Sequence, residues 1–156
     1  NIIREFAAIQ KPCYQDLTKI GNNVHLMQSV HVPHDAILQD DVIITPMCVL
    51  AGITKLLKGA NIGMGSTIHQ HSVVGQYSLI SMGAAVTKNI KPFSIYIPNK
   101  KLKVNYYAIK KFGFENFTGE IEDYIMEDKH PNSSIIIDII EEYQQLHINS
   151  KRGQYQ

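Results

Sequence analysis

Residues 20–91, cut every six from Ile20, read IGNNVH, LMQSVH, VPHDAI, LQDDVI, ITPMCV, LAGITK, LLKGAN, IGMGST, IHQHSV, VGQYSL, ISMGAA, VTKNIK. Every block opens on Ile, Leu or Val, from Ile20, Leu26 and Val32 through to Ile80 and Val86. Four residues later stands something small or β-branched, such as Val24, Ala36, Cys48, Thr54, Ser66 or Ala84. Twelve blocks follow one another without insertion or slip. An amphipathic helix needs a period near 3.6 and a half-buried strand a period of 2; a strict six is the mark of a parallel β-helix. The expected architecture is a triangular solenoid. The aliphatic opener points inward, the small residue fits the narrowing wall, and eighteen residues make one coil. Gap-free hexads with a small fifth position favour the left-handed form of this mainly β fold.

The flanks break the pattern. Residues 1–9 read as the tail of an earlier coil, with Ile2, Ile3, Phe6, Ala8 and Ile9 as its apolar positions, and the uncapped start points to coils preceding residue 1. Residues 10–17, QKPCYQDL, read as a loop leaving one corner. After Ile90, Pro92 and Pro98 suit an extended exit strand. From Leu102 the character becomes helical. A first helix is expected in LKVNYYAIKKFGF, with Val104, Tyr107, Ile109 and Phe112 at helical spacing and Gly113 as its stop. A second would start at an N-cap Thr118. A third, capped by Ser133 or Ser134, carries Ile136, Ile139, Ile140, Tyr143 and Leu146 on one face. KRGQYQ reads as a polar tail. The expected division is a β-helix over 1–98 and a helical region over 99–156.

Composition narrows the function classes. A net charge of +1 with 19% charged residues argues against a nucleic-acid partner. No apolar run approaches the roughly 20 residues of a membrane span. Two cysteines, Cys13 and Cys48, suggest no disulfide framework and a reducing, cytoplasmic compartment.

Residues eighteen apart stack in one column, about 4.8 Å apart. His34 therefore lies below Gly52, then Gln70, then Lys88, with His31 in the coil of His34 and His69 beside Gln70. An imidazole can act as a general base, and a glycine one coil above offers its N–H to a developing oxyanion. Together they make an acyl-transfer arrangement, with Asp35 available to steady the imidazolium. Asp35 also suits a local turn hydrogen bond. His25 and His71 read as solvated surface residues, and His31 is evenly balanced between the two roles. A zinc site drawn from His31, His34, His69 and His71 is the other sharp option. His34 and His71 stand about two coils apart, so such a metal would have to bridge subunits. The expectation is no metal and no cofactor.

At VHVPHD (30–35) and IHQ (68–70) the chain resembles the UDP-N-acetylglucosamine O-acyltransferases that begin lipid A synthesis. IREFAAI, LTKIGNNVHLMQSVHVPHD, VLAG, STIHQHSVVG, VNYYAIKKFGF and SKRGQY keep that family's order. The resemblance implies a left-handed β-helix trimer with an acyl carrier protein thioester as donor. It implies His34 as base, Asp35 as its partner and Gly52 as oxyanion donor. It places His31, His69, Gln70, Asn105 and Lys111 against the nucleotide sugar, in a pocket between two subunits. Met82, stacked eighteen after Met64, falls at the family's acyl-length position and implies short chains; simple apolar filling is the alternative.

Three positions depart from the family: Ile53 stands for a histidine, Tyr107 for a glutamate, and Phe112 for a second arginine after Lys111. They leave room for an acetyl-CoA-dependent N-acetyltransferase of a nucleotide-linked amino sugar. A trimeric zinc lyase of carbonic anhydrase type and a non-catalytic solenoid are the further alternatives.

Overall fold

The computed structural model describes residues 1–156. Each coil lays one two-residue strand on each of three walls. The first wall stacks Ile2–Ile3, His25–Leu26, Ile43–Ile44, Asn61–Ile62, Leu79–Ile80 and Ser94–Tyr96 in parallel, and Lys103–Val104 closes it antiparallel. The second stacks Ala8–Ile9, His31–Val32, Val49–Leu50, Thr67–Ile68 and Ala85–Val86. The third stacks Lys19–Ile20, Ile37–Leu38, Lys55–Leu56 and Val73–Val74, and Ile90 extends it through a bridge to Val74.

The opener of each block is the second residue of its strand, and from Leu26 to Val86 all are buried. Every fifth-position residue from Val24 to Ile90 is buried too. Each aliphatic opener contributes about 1.5–3 kcal/mol on burial, so the column supplies the drive for coiling. Two of the polar small residues bond main-chain carbonyls, Ser66 Oγ donating to Ser81 O and Ser78 Oγ to Gly75 O, whereas Ser72 Oγ is buried without a partner.

The register shows where the period breaks. Partners are eighteen apart in pairs such as Asn61↔Leu79 and Lys19↔Ile37, but Ile2↔His25 and Ala8↔His31 are further apart. The excess is the loop of residues 10–18, at the corner between the second and third walls.

Three helices follow: α1 (Tyr106–Lys111), α2 (Thr118–Glu127) and α3 (Ser134–Ile148). The first is shorter than expected, because Lys103–Val104 is a strand bonded to Ser94–Tyr96. Gly113 (φ 79°) follows it, as expected. Thr118 is the first residue of α2 rather than its cap, and its hydroxyl donates to Glu115 O. Ser133 precedes α3 as the cap residue, but its hydroxyl bonds Glu120 instead of the helix N-terminus. Ile136, Ile140 and Tyr143 are buried, as the expected face requires.

The helices join the solenoid core. Tyr77, Phe93, Phe112 and Phe114 interlock with ring centroids 4.7–5.1 Å apart. Buried Lys91 pairs with Asp128. The last residues are not a free tail. Asn89, fully buried, donates its N–H to Gly153 O and accepts from Tyr155 N–H, and its side-chain amide reaches Ser150 and His147. No helix is long and apolar enough to cross a membrane.

Candidate active site

The second–third corner, directly after strand His31–Val32, brings His34 and Asp35 together. Asp35 has φ 60°, which an aspartate tolerates, and its side chain is fully buried. A buried carboxylate requires partners, and the loop of residues 10–18 provides them. Backbone N–H groups of Cys13, Tyr14 and Gln15 donate to Asp35 at 3.0–3.3 Å. Thr18 Oγ1 accepts the Asp35 N–H at 2.9 Å, and Gln10 Oε1 accepts that of His34 at 3.1 Å. The break in the period is therefore a clamp on the dyad.

His34 Nδ1 lies 2.8 Å from Asp35 Oδ2. An ionised carboxylate only accepts, so Nδ1 carries the proton and Nε2 is left as the base. Burial pushes the Asp35 carboxyl up, but the bond from His34 and the three backbone N–H groups outweigh it, and its pKa falls from 3.8 to about 2. Tyr14 stands edge-on to the imidazole at 5.5 Å.

This carboxylate links stability to pH. Its folded pKa is depressed, so its contribution is complete above pH 3.8 and lost as pH falls through about 2. Between pH 4 and 2, Asp35→Asn should flatten the loss of unfolding free energy seen in the native chain. Parallel acid-unfolding curves for the two proteins would contradict this assignment.

Gly52 faces the base. A Cβ built there would lie 2.5 Å from His34 Nε2 and Cε1, so only glycine admits the imidazole. Its φ is not positive; space, not conformation, demands it. Its N–H donates to no acceptor in the chain, which leaves it free for an incoming oxygen. The neighbouring Ile53 adopts φ 62°, a conformation that costs a β-branched residue about 1–3 kcal/mol.

The other expected residues fall into three places. His31 Nδ1 bonds Leu50 O at 3.1 Å, two residues before Gly52. His69 and Gln70 are exposed one coil above, at one end of a cleft of about 330 Å³ that runs over Val49, Thr67 and Ala85 of the second wall. Met64 and Met82 are exposed on the first–second corner, at the far end of that wall. Asn105 and Lys111 do not join the His34 corner; they line a separate cavity of about 420 Å³ with Ile43 and Asn61 of the first wall. Asn105 is also the N-cap of α1, accepting from Ala108 N–H and donating to Tyr77 O. His31, His34, His69 and His71 do not converge, and no group of three His, Cys, Asp or Glu forms a ligand set.

Two participants escaped the sequence reading. The loop clamp is made of backbone N–H groups, which no side-chain pattern reveals. Arg152, in the expected polar tail, donates from Nε to Gln70 O at 2.9 Å and from Nη2 to His69 Nδ1 at 2.6 Å.

Comparison with known proteins agrees with this fold. The family described as bacterial transferase hexapeptide (six repeats) matches residues 17–52. The acyl-[acyl-carrier-protein]–UDP-N-acetylglucosamine O-acyltransferase of Herminiimonas arsenicoxydans is 31% identical over 120 residues, covering 74% of this chain and 46% of that protein. The protein of the same name from Nautilia profundicola is 36% identical over 102 residues, covering 64% and 39%. The chain spans about half the length of the curated relatives it matches. The UDP-N-acetylglucosamine acyltransferase structure from Campylobacter jejuni superposes with TM-score 0.84 at 23% identity, over 98% of this chain and 66% of that one. The Arabidopsis structure gives 0.84 at 20%, over 99% and 62%. Their shared fold is the left-handed parallel β-helix with a helical C-terminal part.

Proposed function

We propose, for a chain that belongs to the UDP-N-acetylglucosamine O-acyltransferase family, transfer of an acyl group from an acyl carrier protein thioester to a hydroxyl of UDP-N-acetylglucosamine or a related nucleotide sugar. The observation that carries the reading is the His34–Asp35 pair set against the free N–H of Gly52. The sugar hydroxyl attacks the thioester carbonyl while His34 Nε2 takes its proton. The ionised Asp35 stabilises the imidazolium, and the Gly52 N–H donates to the oxyanion of the tetrahedral intermediate. Collapse breaks the C–S bond, and the imidazolium returns the proton to the leaving thiolate.

On this reading the enzyme is a cytoplasmic homotrimer that needs no cofactor. Two features favour the trimer: Asn105 and Lys111 stand on a different wall from His34, and Met64 and Met82 on a different corner. A pocket between neighbouring copies would unite what one chain separates. The two free thiols, Cys13 and Cys48, suit a reducing compartment. The reaction is followed by release of carrier-protein thiol, which should require the nucleotide sugar; release at the same rate without it would reject the proposal.

The exposed methionines end the second wall opposite His34. An acyl chain laid along that wall from the thioester meets them after one hexapeptide, roughly 20 Å at 3.3 Å per residue. Met82→Gly should therefore shift the preferred donor towards longer chains, with kcat on the native donor little changed. An unchanged donor profile would remove Met82 from the acyl site.

A further inference from the structure

The upper coils carry a charge feature that acyl transfer does not use. No Asp or Glu occurs between Asp41 and Glu115, although Lys55, Lys58, Lys88 and Lys91 fall in that span. Glu142, the α3 carboxylate turned to the third wall, is occupied by Gln39 and Gln76. Onto these coils the C-terminal segment returns Lys151 and Arg152.

The path of that segment is fixed. Asn89 pins it at Gly153 and Tyr155, and Tyr155 packs on Tyr96 at 4.4 Å and bonds Thr87 at 2.9 Å. Lys88 Nζ sits 5.5 Å over the Tyr155 ring. Arg152 is then gripped by Gln70 O and His69 Nδ1, both neutral acceptors. No carboxylate pairs with Lys88, Lys151 or Arg152. A guanidinium held in this way has lost its rotamer freedom in advance and kept its full charge, with three of its five N–H donors unspent. His71 reports the same potential: burial lowers its pKa, and Lys151, Arg152 and His69 lower it further. Gln70 stands two coil rises above His34 in one column, roughly 10 Å.

We propose that Arg152, Lys151 and Lys88 form a phosphate-binding subsite at the top of the catalytic corner. It takes a phosphate ester of one of the two substrates: the diphosphate of the nucleotide sugar, or the phosphopantetheine phosphodiester of the donor. Its place in turnover rests on the acyl-transfer reading, whereas its affinity for phosphate does not.

Calorimetric titration with inorganic pyrophosphate separates the two. The native chain and His34→Ala should bind it alike, whatever their turnover. Arg152→Gln should bind at least about tenfold more weakly, the loss of one charge-assisted anion contact. A Lys88→Gln, Lys151→Gln double variant, which leaves the hold on Arg152 intact, should weaken binding and flatten its salt dependence. Native affinity in both variants overturns the subsite. With substrates, a higher KM for the nucleotide sugar in Arg152→Gln identifies the diphosphate, and a higher KM for the acyl carrier protein identifies the phosphopantetheine. If neither KM rises, the subsite is wrong.

Discussion

Replacing His34 by alanine should lower kcat by about 10²–10⁴-fold, the range set by a positioned general base, while the solenoid stays folded. The fold survives because His34 lies outside the buried column of Leu26, Val32 and Leu38 and is part-exposed, with 28% of its side-chain surface accessible. Asp35 keeps its three backbone donors in the variant, so the loop stays clamped. What is lost is Nε2, the only ring nitrogen of the dyad not already committed to Asp35. Imidazole added to the His34→Ala protein should restore part of the rate. Unaltered kcat in this variant would remove the base from the mechanism.

Gly52→Ala should cost about 10²–10³-fold in kcat, equivalent to losing one oxyanion donor. The backbone at residue 52 accepts alanine without strain, so the effect is local. The new Cβ would lie 2.5 Å from two imidazole atoms, and His34 must swing away from the Gly52 N–H and from Asp35. The substitution thus separates base and oxyanion donor without removing either. Because the clash is with a side chain, Gly52→Ala in a His34→Ala background should cost little more than His34→Ala alone. Full additivity of the two losses would show that they act independently.

The hexads make most of this legible in the sequence. A period of six defines which residue points inward, and a coil of eighteen puts His34 under Gly52; both follow from spacing. The family resemblance added roles to residues that stacking had already brought together, and to Asn105 and Lys111, which line a separate cavity. What escaped has a common physical character. The clamp on Asp35 uses main-chain N–H groups of Cys13, Tyr14 and Gln15, and any sequence can present those. Arg152 reaches His69 across 83 positions of sequence, on a path decided by one buried asparagine, Asn89. Lys103–Val104 reads as helix by spacing, yet an open strand edge at Ser94–Tyr96 captures it. Ser133 has cap chemistry but finds a carboxylate first. Local preference gave way at each of these points to a partner distant in sequence.

On the proposed reading, the departures at Ile53 and Tyr107 bear on the acceptor. Ile53 holds a left-handed conformation beside Gly52, and Tyr107 is exposed. Ile53 bonds residue 34 through the main chain, its N–H donating to His34 O at 3.2 Å.

The most direct test of the account offers the protein UDP-N-acetylglucosamine and a UDP-diamino sugar together. Hydroxyacyl carrier proteins of graded length and acetyl-CoA are supplied as competing donors, and the nucleotide sugars are weighed by mass spectrometry. A short hydroxyacyl gain on UDP-N-acetylglucosamine, absent with His34→Ala, is the expected result. An acetyl gain on the diamino sugar, or no acyl gain on either nucleotide sugar, would contradict it.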